Sequence, residues 1–334
     1  MTPRAAPASG PLTLAEVEAA AGRVYAAMPP TPQVAWPLLA QRAGTDVWVK
    51  HENHTPTGAF KVRGGLNLLA TLCTREPDFP GVISATRGNH GQSLAFAARR
   101  HGKRCLIVVP EGNSRAKNAA MSAFGAELVV HGRDFDEARE HAATLAQAEG
   151  LRFVGPFDPE LVAGVATYAL ELFRGAPALD TVFVPIGCGS GICGLIAARD
   201  ALGLATRVVG VVSSQANAYA QSFRTGTRVE TATAATIADG MAVRVPVQAA
   251  LDVIARGAAD IVEVTDAEVE AAVRVCFDDM HQLAEGAGAA PVAALLKAPG
   301  RAGRRMAAIL SGGNIDRDTY VRILEDVRWQ PARV

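Results

Sequence analysis

Short apolar runs alternate with amphipathic stretches of helical length from one end of this chain to the other. That alternation constrains the fold more than any other feature. The segments DVWVKH (46–51), VISA (82–85), RCLIVV (104–109), ELVVH (127–131), RFV (152–154), TVFVP (181–185), RVVGVV (207–212) and RMAAIL (305–310) read as strands. Residues 60–72, 90–101, 114–124, 135–148, 194–202, 266–283 and 287–296 read as helices, and another helix lies within 158–173. Thr13 is placed to cap a first helix over 14–27. Strands that alternate with helices predict an α/β protein with mostly parallel sheets flanked by helices. The Pro-rich stretch 29–37 is extended or turning, and residues 1–12, rich in Pro, Ala and Ser, read as disordered.

A chain of 334 residues suits two domains of ordinary size. Its 33 basic and 33 acidic residues balance, so charge points neither to nucleic acid nor to an anionic membrane surface. No run approaches a membrane span, and the start lacks the apolar core of a signal peptide. The five cysteines are odd in number and irregular in spacing, and no CxxC pair occurs, which supports neither a disulfide framework nor a zinc site. Free thiols in a cytoplasmic protein are the plain expectation.

Ligands of open α/β sheets sit beyond the carboxyl ends of the strands, and four loops there carry unusual residues. In HTPTGAFKVRGG (54–65), a turn leads into a helix with Lys61 in its first turns. The positive end of the helix dipole disfavours an ammonium, which suits an amine that forms a Schiff base; a solvated surface lysine is the competing reading. SATRGNHGQ (84–92) opens a helix with Gly88 in the turn, an anion site or an ordinary capped turn. GCGSGICG (187–194) can wrap an anion with its backbone, and Gly189–Gly194 satisfies GxGxxG. A dinucleotide site also needs an acid after the next strand, where Ser213 and Ser214 stand, so a phosphate monoester fits better than NAD. SGGN (311–314) lets a flat ligand approach the backbone, or is simply a turn. Together the loops supply an activated amine, a carboxylate site, a phosphate cup and a hydroxyl facing a ring.

In this order PTGAFKVRGG, RGNHGQ, the glycine cup, TIADG (236–240), EGAGA (285–289) and SGGN resemble the fold-type II pyridoxal-phosphate (PLP) enzymes, the tryptophan-synthase-β-like superfamily. Within it, the threonine/serine dehydratase and serine racemase branch fits best. The resemblance runs from about residue 30 to 313. It implies two open, twisted, mostly parallel sheets with PLP in the cleft between a large domain (13–75 and 156–334) and a small one (80–152). It also implies a homodimer. Lys61 would carry the cofactor, Phe60 pack beside its ring, and Asn89 bond its phenolic oxygen. Gly187, Cys188, Gly189, Ser190 and Gly191 would cup the phosphate, and Ser311 would face the pyridine nitrogen. Thr86, Arg87, Gly88 and His90 would hold the substrate carboxylate, with Glu285 near the leaving hydroxyl.

Three departures stand out. Arg87 replaces a small residue, often the serine that serves racemases as acid/base, and arginine is a poor proton carrier. Val212 and Ala218 fall where some relatives place carboxylate ligands for a divalent cation, so no metal is expected. The regulatory domain of biosynthetic threonine dehydratases is expected to be absent. The resemblance therefore implies a lyase that turns a β-hydroxy-α-amino acid into a 2-oxo acid and ammonia. Lys61 takes the Cα proton, and a neutral Ser311 favours rapid loss of the hydroxyl over transamination. β-Replacement, racemisation, a PLP-binding protein without turnover and an NAD enzyme are the alternatives. His51, His54 and His281 are read as core or surface residues.

Overall fold

The computed structural model describes residues 11–298, 300 and 304–325; the segment 1–10, most of the stretch expected to be disordered, lies outside them. In chain order the elements are α1 (Leu14–Tyr25), β1 (Gln33–Ala35), α2 (Pro37–Ala43), β2 (Asp46–His51), α3 (Lys61–Arg75), β3 (Gly81–Ala85), α4 (Asn89–Arg100), β4 (Arg104–Val109), α5 (Arg115–Ala123), β5 (Glu127–Val130), α6 (Phe135–Glu149), β6 (Arg152–Phe153) and α7 (Pro159–Gly175). They continue as β7 (Thr181–Pro185), α8 (Ser190–Ala201), β8 (Arg207–Ser213), α9 (Ala218–Thr225), α10 (Gln248–Gly257), β9 (Asp260–Val264), α11 (Asp266–Met280), α12 (Gly286–Lys297), β10 (Arg305–Leu310) and α13 (Arg317–Leu324). Thr13 caps α1 through a capping box with Glu16, as its position suggests.

Two sheets result. One has the order β1-β2-β10-β7-β8-β9, the other β5-β4-β3-β6. Every pair is parallel except β1 with β2. Central strands such as β3 and β7 are buried throughout, which is why they read as unbroken apolar runs. The antiparallel β1 lies inside the Pro-rich stretch read as extended or turning. Helix α8 begins at Ser190, four residues before its expected start, so part of the glycine run forms its first turn.

Helix α3 joins the two halves. Its apolar face (Val62, Leu66, Leu69) packs with Leu94 of α4 and Ile107 of β4 in one core, each such side chain contributing about 2 kcal/mol on burial. A Cβ at Gly65 would overlap the Ser93 hydroxyl, so the KVRGG sequence allows α4 to lie close. On the other side Arg63 is fully buried and bonds both Glu52 (2.7 Å) and Glu171 (2.6 Å), while Lys50 pairs with Glu171 at 2.6 Å. Two cations face two carboxylates here. Removing any one member would leave a buried charge single, at a cost of about 3–5 kcal/mol. This cluster fixes the first turns of α3, and with them Lys61.

Candidate active site

The lysine loop and the SGGN loop are stitched together by backbone. Phe60 N–H donates to Ser311 O at 3.0 Å, and Gly313 N–H to Gly58 O at 2.9 Å. Ala59 and Gly312 form an antiparallel bridge between these bonds. Lys61 is the first residue of α3. Its amine lies 5.1 Å from the centre of the Phe60 ring and, among the described residues, makes no hydrogen bond. Burial holds its pKa below the ordinary lysine range, opposed by Cys188 and Glu285. Desolvation thus acts in the direction expected from the helix end.

Phe60 stands edge-on to Tyr168, with ring centres 6.3 Å apart, and the Tyr168 hydroxyl donates to Gly191 O at 2.8 Å. This contact brings the glycine loop to the lysine. A Cβ at Gly187 would overlap the carbonyl oxygen of Gly240, so only glycine lets the TIADG loop lie this close. Gly189 has φ +98°, a left-handed conformation that favours glycine. Ser190 and Gly191 then open α8, whose first N–H groups have no partner within the helix. An anion at this cup would face those donors and the positive helix end. The Cys188 thiol is pushed up by burial and drawn back by Lys61.

From the second sheet, Asn89 heads α4. Its Nδ2 donates to Glu285 Oε1 at 2.7 Å, and its Oδ1 accepts from Asn314 Nδ2 at 2.8 Å. Asn314 also donates to Thr57 O at 2.8 Å. Glu285 caps α12 without a side-chain bond to that helix, and its N–H donates to Gly312 O at 3.1 Å. Burial raises the pKa of the Glu285 carboxyl; Lys117, the bond from Asn89 and Lys61 oppose this, and Asp239 adds to it. Thr86 is buried and its hydroxyl accepts from Gly88 N–H at 3.1 Å. His90 is buried, 3.4 Å from Val154 O, and its pKa is pushed down to about 3, mainly by burial and then by Lys61.

These bonds and contacts bring Phe60, Lys61, Asn89, Glu285, Ser311 and the 187–191 loop together, and Thr86, Gly88 and His90 lie beside Asn89 at the start of α4. Arg87 is the exception. It is exposed and, among the described residues, forms no ion pair, neither lining the buried part of the cleft nor pairing with an acid across it. Lys117 and Asn314 belong to the cleft, although neither was singled out in the sequence. Asn314 could have been found as the last residue of SGGN. Val212 and Ala218 are buried, and the nearby Glu263 is engaged by Asn217 and Arg224. Among the described residues no three His, Cys, Asp or Glu side chains are grouped to hold a metal. His51 is buried and accepts from Trp36 Nε1 at 2.9 Å; His54 bonds Gln282 at 2.6 Å, and His281 ends α11 at φ 54°.

The residues fit pyridoxal phosphate. A buried amine that makes no hydrogen bond among the described residues, a glycine cup at a helix start and a buried serine, Ser311, on the opposite loop are what its aldehyde, phosphate and ring nitrogen need. Comparison with known proteins agrees. The family described as "Pyridoxal-phosphate dependent enzyme" matches residues 24–312. The chain is 34% identical over 288 residues to an L-threonine ammonia-lyase of Thermotoga maritima, covering 86% of this chain and 72% of that one. It is 32% identical to a catabolic L-threonine dehydratase of Staphylococcus aureus, covering 94% and 92%. The processed form of threonine deaminase isoform 2 from Solanum lycopersicum superposes with a TM-score of 0.88 at 29% identity, covering 93% of this chain and 86% of that one.

Proposed function

This chain belongs to the pyridoxal-phosphate-dependent enzymes, in the threonine/serine dehydratase branch of fold type II, and on that premise we propose that it removes water and ammonia from a β-hydroxy-α-amino acid to give a 2-oxo acid. The observation that carries this reading is the Lys61 amine, buried and, among the described residues, without a hydrogen bond. The bound cofactor supplies an electron sink for the pair left on Cα. Lys61 would hold the cofactor and then take the Cα proton, which balances the water lost with the hydroxyl. The start of α4, with Thr86, Gly88 and His90, receives the substrate carboxylate. Asn89 would donate toward the cofactor's phenolic oxygen. Ser311, a neutral hydroxyl, would face the ring nitrogen in place of a carboxylate that would keep it protonated, which would favour elimination over transamination. Glu285, which interacts with Lys61, would face the leaving hydroxyl.

Threonine is the substrate the relatives' names point to, serine is its smaller analogue, and 3-hydroxyaspartate and phenylserine are the larger candidates. A homodimer in the cytoplasm belongs to the same reading: Phe277 of α11 and Val321 of α13 stay exposed, where a second copy would cover them. The test is release of ammonia and 2-oxo acid from each stereoisomer of these four amino acids, with Lys61→Ala as the control. Ammonia release lost in a folded Lys61→Ala protein supports the proposal; no release from any of the four by the parent protein, or unchanged turnover in the variant, overturns it.

A further inference from the structure

Asn314 ends the SGGN loop and bonds both the lysine loop and α4. Its Nδ2 donates to Thr57 O at 2.8 Å and to Asn89 Oδ1 at 2.8 Å. An amide nitrogen carries two hydrogens, so both are engaged. Thr57 belongs to the turn before Lys61. Gly58 N–H donates to Thr55 O at 2.9 Å there, and Ala59 N–H to Thr55 Oγ1 at 2.9 Å, so the Thr57 carbonyl is held in place. Gly58 has φ +68°, and a Cβ at that position would lie 2.6 Å from Asn314 Oδ1. The turn therefore leaves room for the Asn314 amide only because Gly58 has no side chain.

A side-chain amide can face either way, and its partners decide which. Here the decision starts at a backbone carbonyl. Thr57 O can only accept, so Asn314 must present its nitrogen to it. The same nitrogen faces Asn89, which must then present Oδ1. That leaves Asn89 Nδ2 on the other side of its amide, where it donates one hydrogen to Glu285 Oε1 at 2.7 Å and keeps a second. A backbone carbonyl does not ionise, so this order does not depend on the charge of Glu285.

We propose that Asn314 is a positioning residue of this site: it carries the direction set by Thr57 O across to Asn89, so that Asn89 offers the cofactor's phenolic oxygen an N–H and not a carbonyl. This rests on the function proposed above, in which Asn89 faces that oxygen. A donor there favours the ionised phenol, whereas a carbonyl would repel it. The ionisation of the phenol is read directly in the cofactor's absorbance.

The test uses Asn314→Asp in the holoenzyme, alone and combined with Asn89→Ala. A carboxylate of the same shape cannot donate to Thr57 O, and it draws Asn89 Nδ2 toward itself. Without substrate, the cofactor's absorbance should shift toward that of the neutral phenol, in the same direction as in Asn89→Ala. In the same variant kcat/KM should fall roughly tenfold. In the double variant Asn314→Asp should add nothing to either effect, because Asn314 acts through Asn89. Effects that add, or an absorbance that Asn314→Asp leaves in place, would mark a merely structural tie and overturn the inference. Should Asn314→Asp fail to fold, Asn314→Ala removes the same two bonds and is read against Asn89→Ala in the same way. An Asn89→Ala protein with unchanged absorbance would overturn the placement of Asn89, and the inference with it. A parent protein that binds no cofactor or releases no ammonia would overturn the proposed function instead.

Discussion

The Ser93 hydroxyl donates to the backbone carbonyl of Lys61 at 2.6 Å, joining the second turn of α4 to the first residue of α3. The bond ties the helix that presents the carboxylate site to the one that presents the amine. Ser93→Ala should lower stability by about 1 kcal/mol, the usual worth of such a bond. It should also lower kcat/KM, because the amine is less firmly placed. Denaturant unfolding and steady-state kinetics check both; unchanged kcat/KM would show that α3 is positioned by its other face alone.

Gly187 touches the Gly240 carbonyl so closely that a side chain cannot enter without moving backbone. Gly187→Ala should therefore displace the cup from the TIADG loop and weaken cofactor binding by tenfold or more, about 1.4 kcal/mol. Titrating the apoprotein with pyridoxal phosphate, followed by absorbance, measures this directly. Thermal stability of the apoprotein should change less than that of the holoprotein.

Acid should destabilise the fold partly through His51. Burial, then the neighbouring His54, pushes its pKa from 6.5 down to about 4, and its Nε2 already accepts from Trp36. Below pH 6.5 the unfolded chain binds a proton that the folded chain refuses, so stability falls as pH drops from there toward 4. The loss from His51 is on the order of 2 kcal/mol. His51→Gln keeps an acceptor for Trp36 but cannot titrate. Its unfolding free energy should fall less between pH 7 and pH 4.5; a slope equal to that of the parent protein would remove His51 from the account. His90, shifted the same way, leaves a residual slope.

Arg87 keeps its guanidinium exposed beside Thr86 and Gly88, with no ion pair among the described residues. A substrate with a second carboxylate, such as 3-hydroxyaspartate, would find that cation free, whereas serine has nothing to reach it with. Arg87→Ser should lower kcat/KM for 3-hydroxyaspartate roughly tenfold relative to serine, about 1.4 kcal/mol, the modest scale of a solvated ion pair. An equal loss on both substrates would show that Arg87 does not select between them.

The parallel architecture was legible because each strand is short, apolar and followed by a helix, and β2, β4, β7 and β10 fall on the expected residues. β1 was hidden because Pro29, Pro30, Pro32 and Pro37 obscure a three-residue edge strand that only its pairing with β2 reveals. The start of α8 was placed late because Ser190 and Gly191 are poor helix formers, and here they begin a helix beside the phosphate cup. Motif residues such as Lys61, Asn89 and Ser311 could be named because their motifs, taken in order, resemble those of a known family. Lys117 could not, since on an amphipathic helix a lysine reads as a solvated charge. Only the tertiary approach of α5 to Asp239 puts it in the cleft.

The pairing of β2 with β10 sets Asp46 opposite Arg305. On the ribosome the two partners emerge at very different times. The four-stranded sheet needs only residues from Gly81 to Phe153 and can close soon after they leave the exit tunnel. β2, made earlier, must wait with one edge bare until β10 is synthesised, and such long-range parallel pairing is slow to form and open to aggregation. The loop holding Lys61 gains its Ser311 partner later still. Cofactor capture thus has to wait until the residues up to Ser311 have been made, and a chain halted before residue 305 would offer an unpaired strand edge to chaperones or to its own copies.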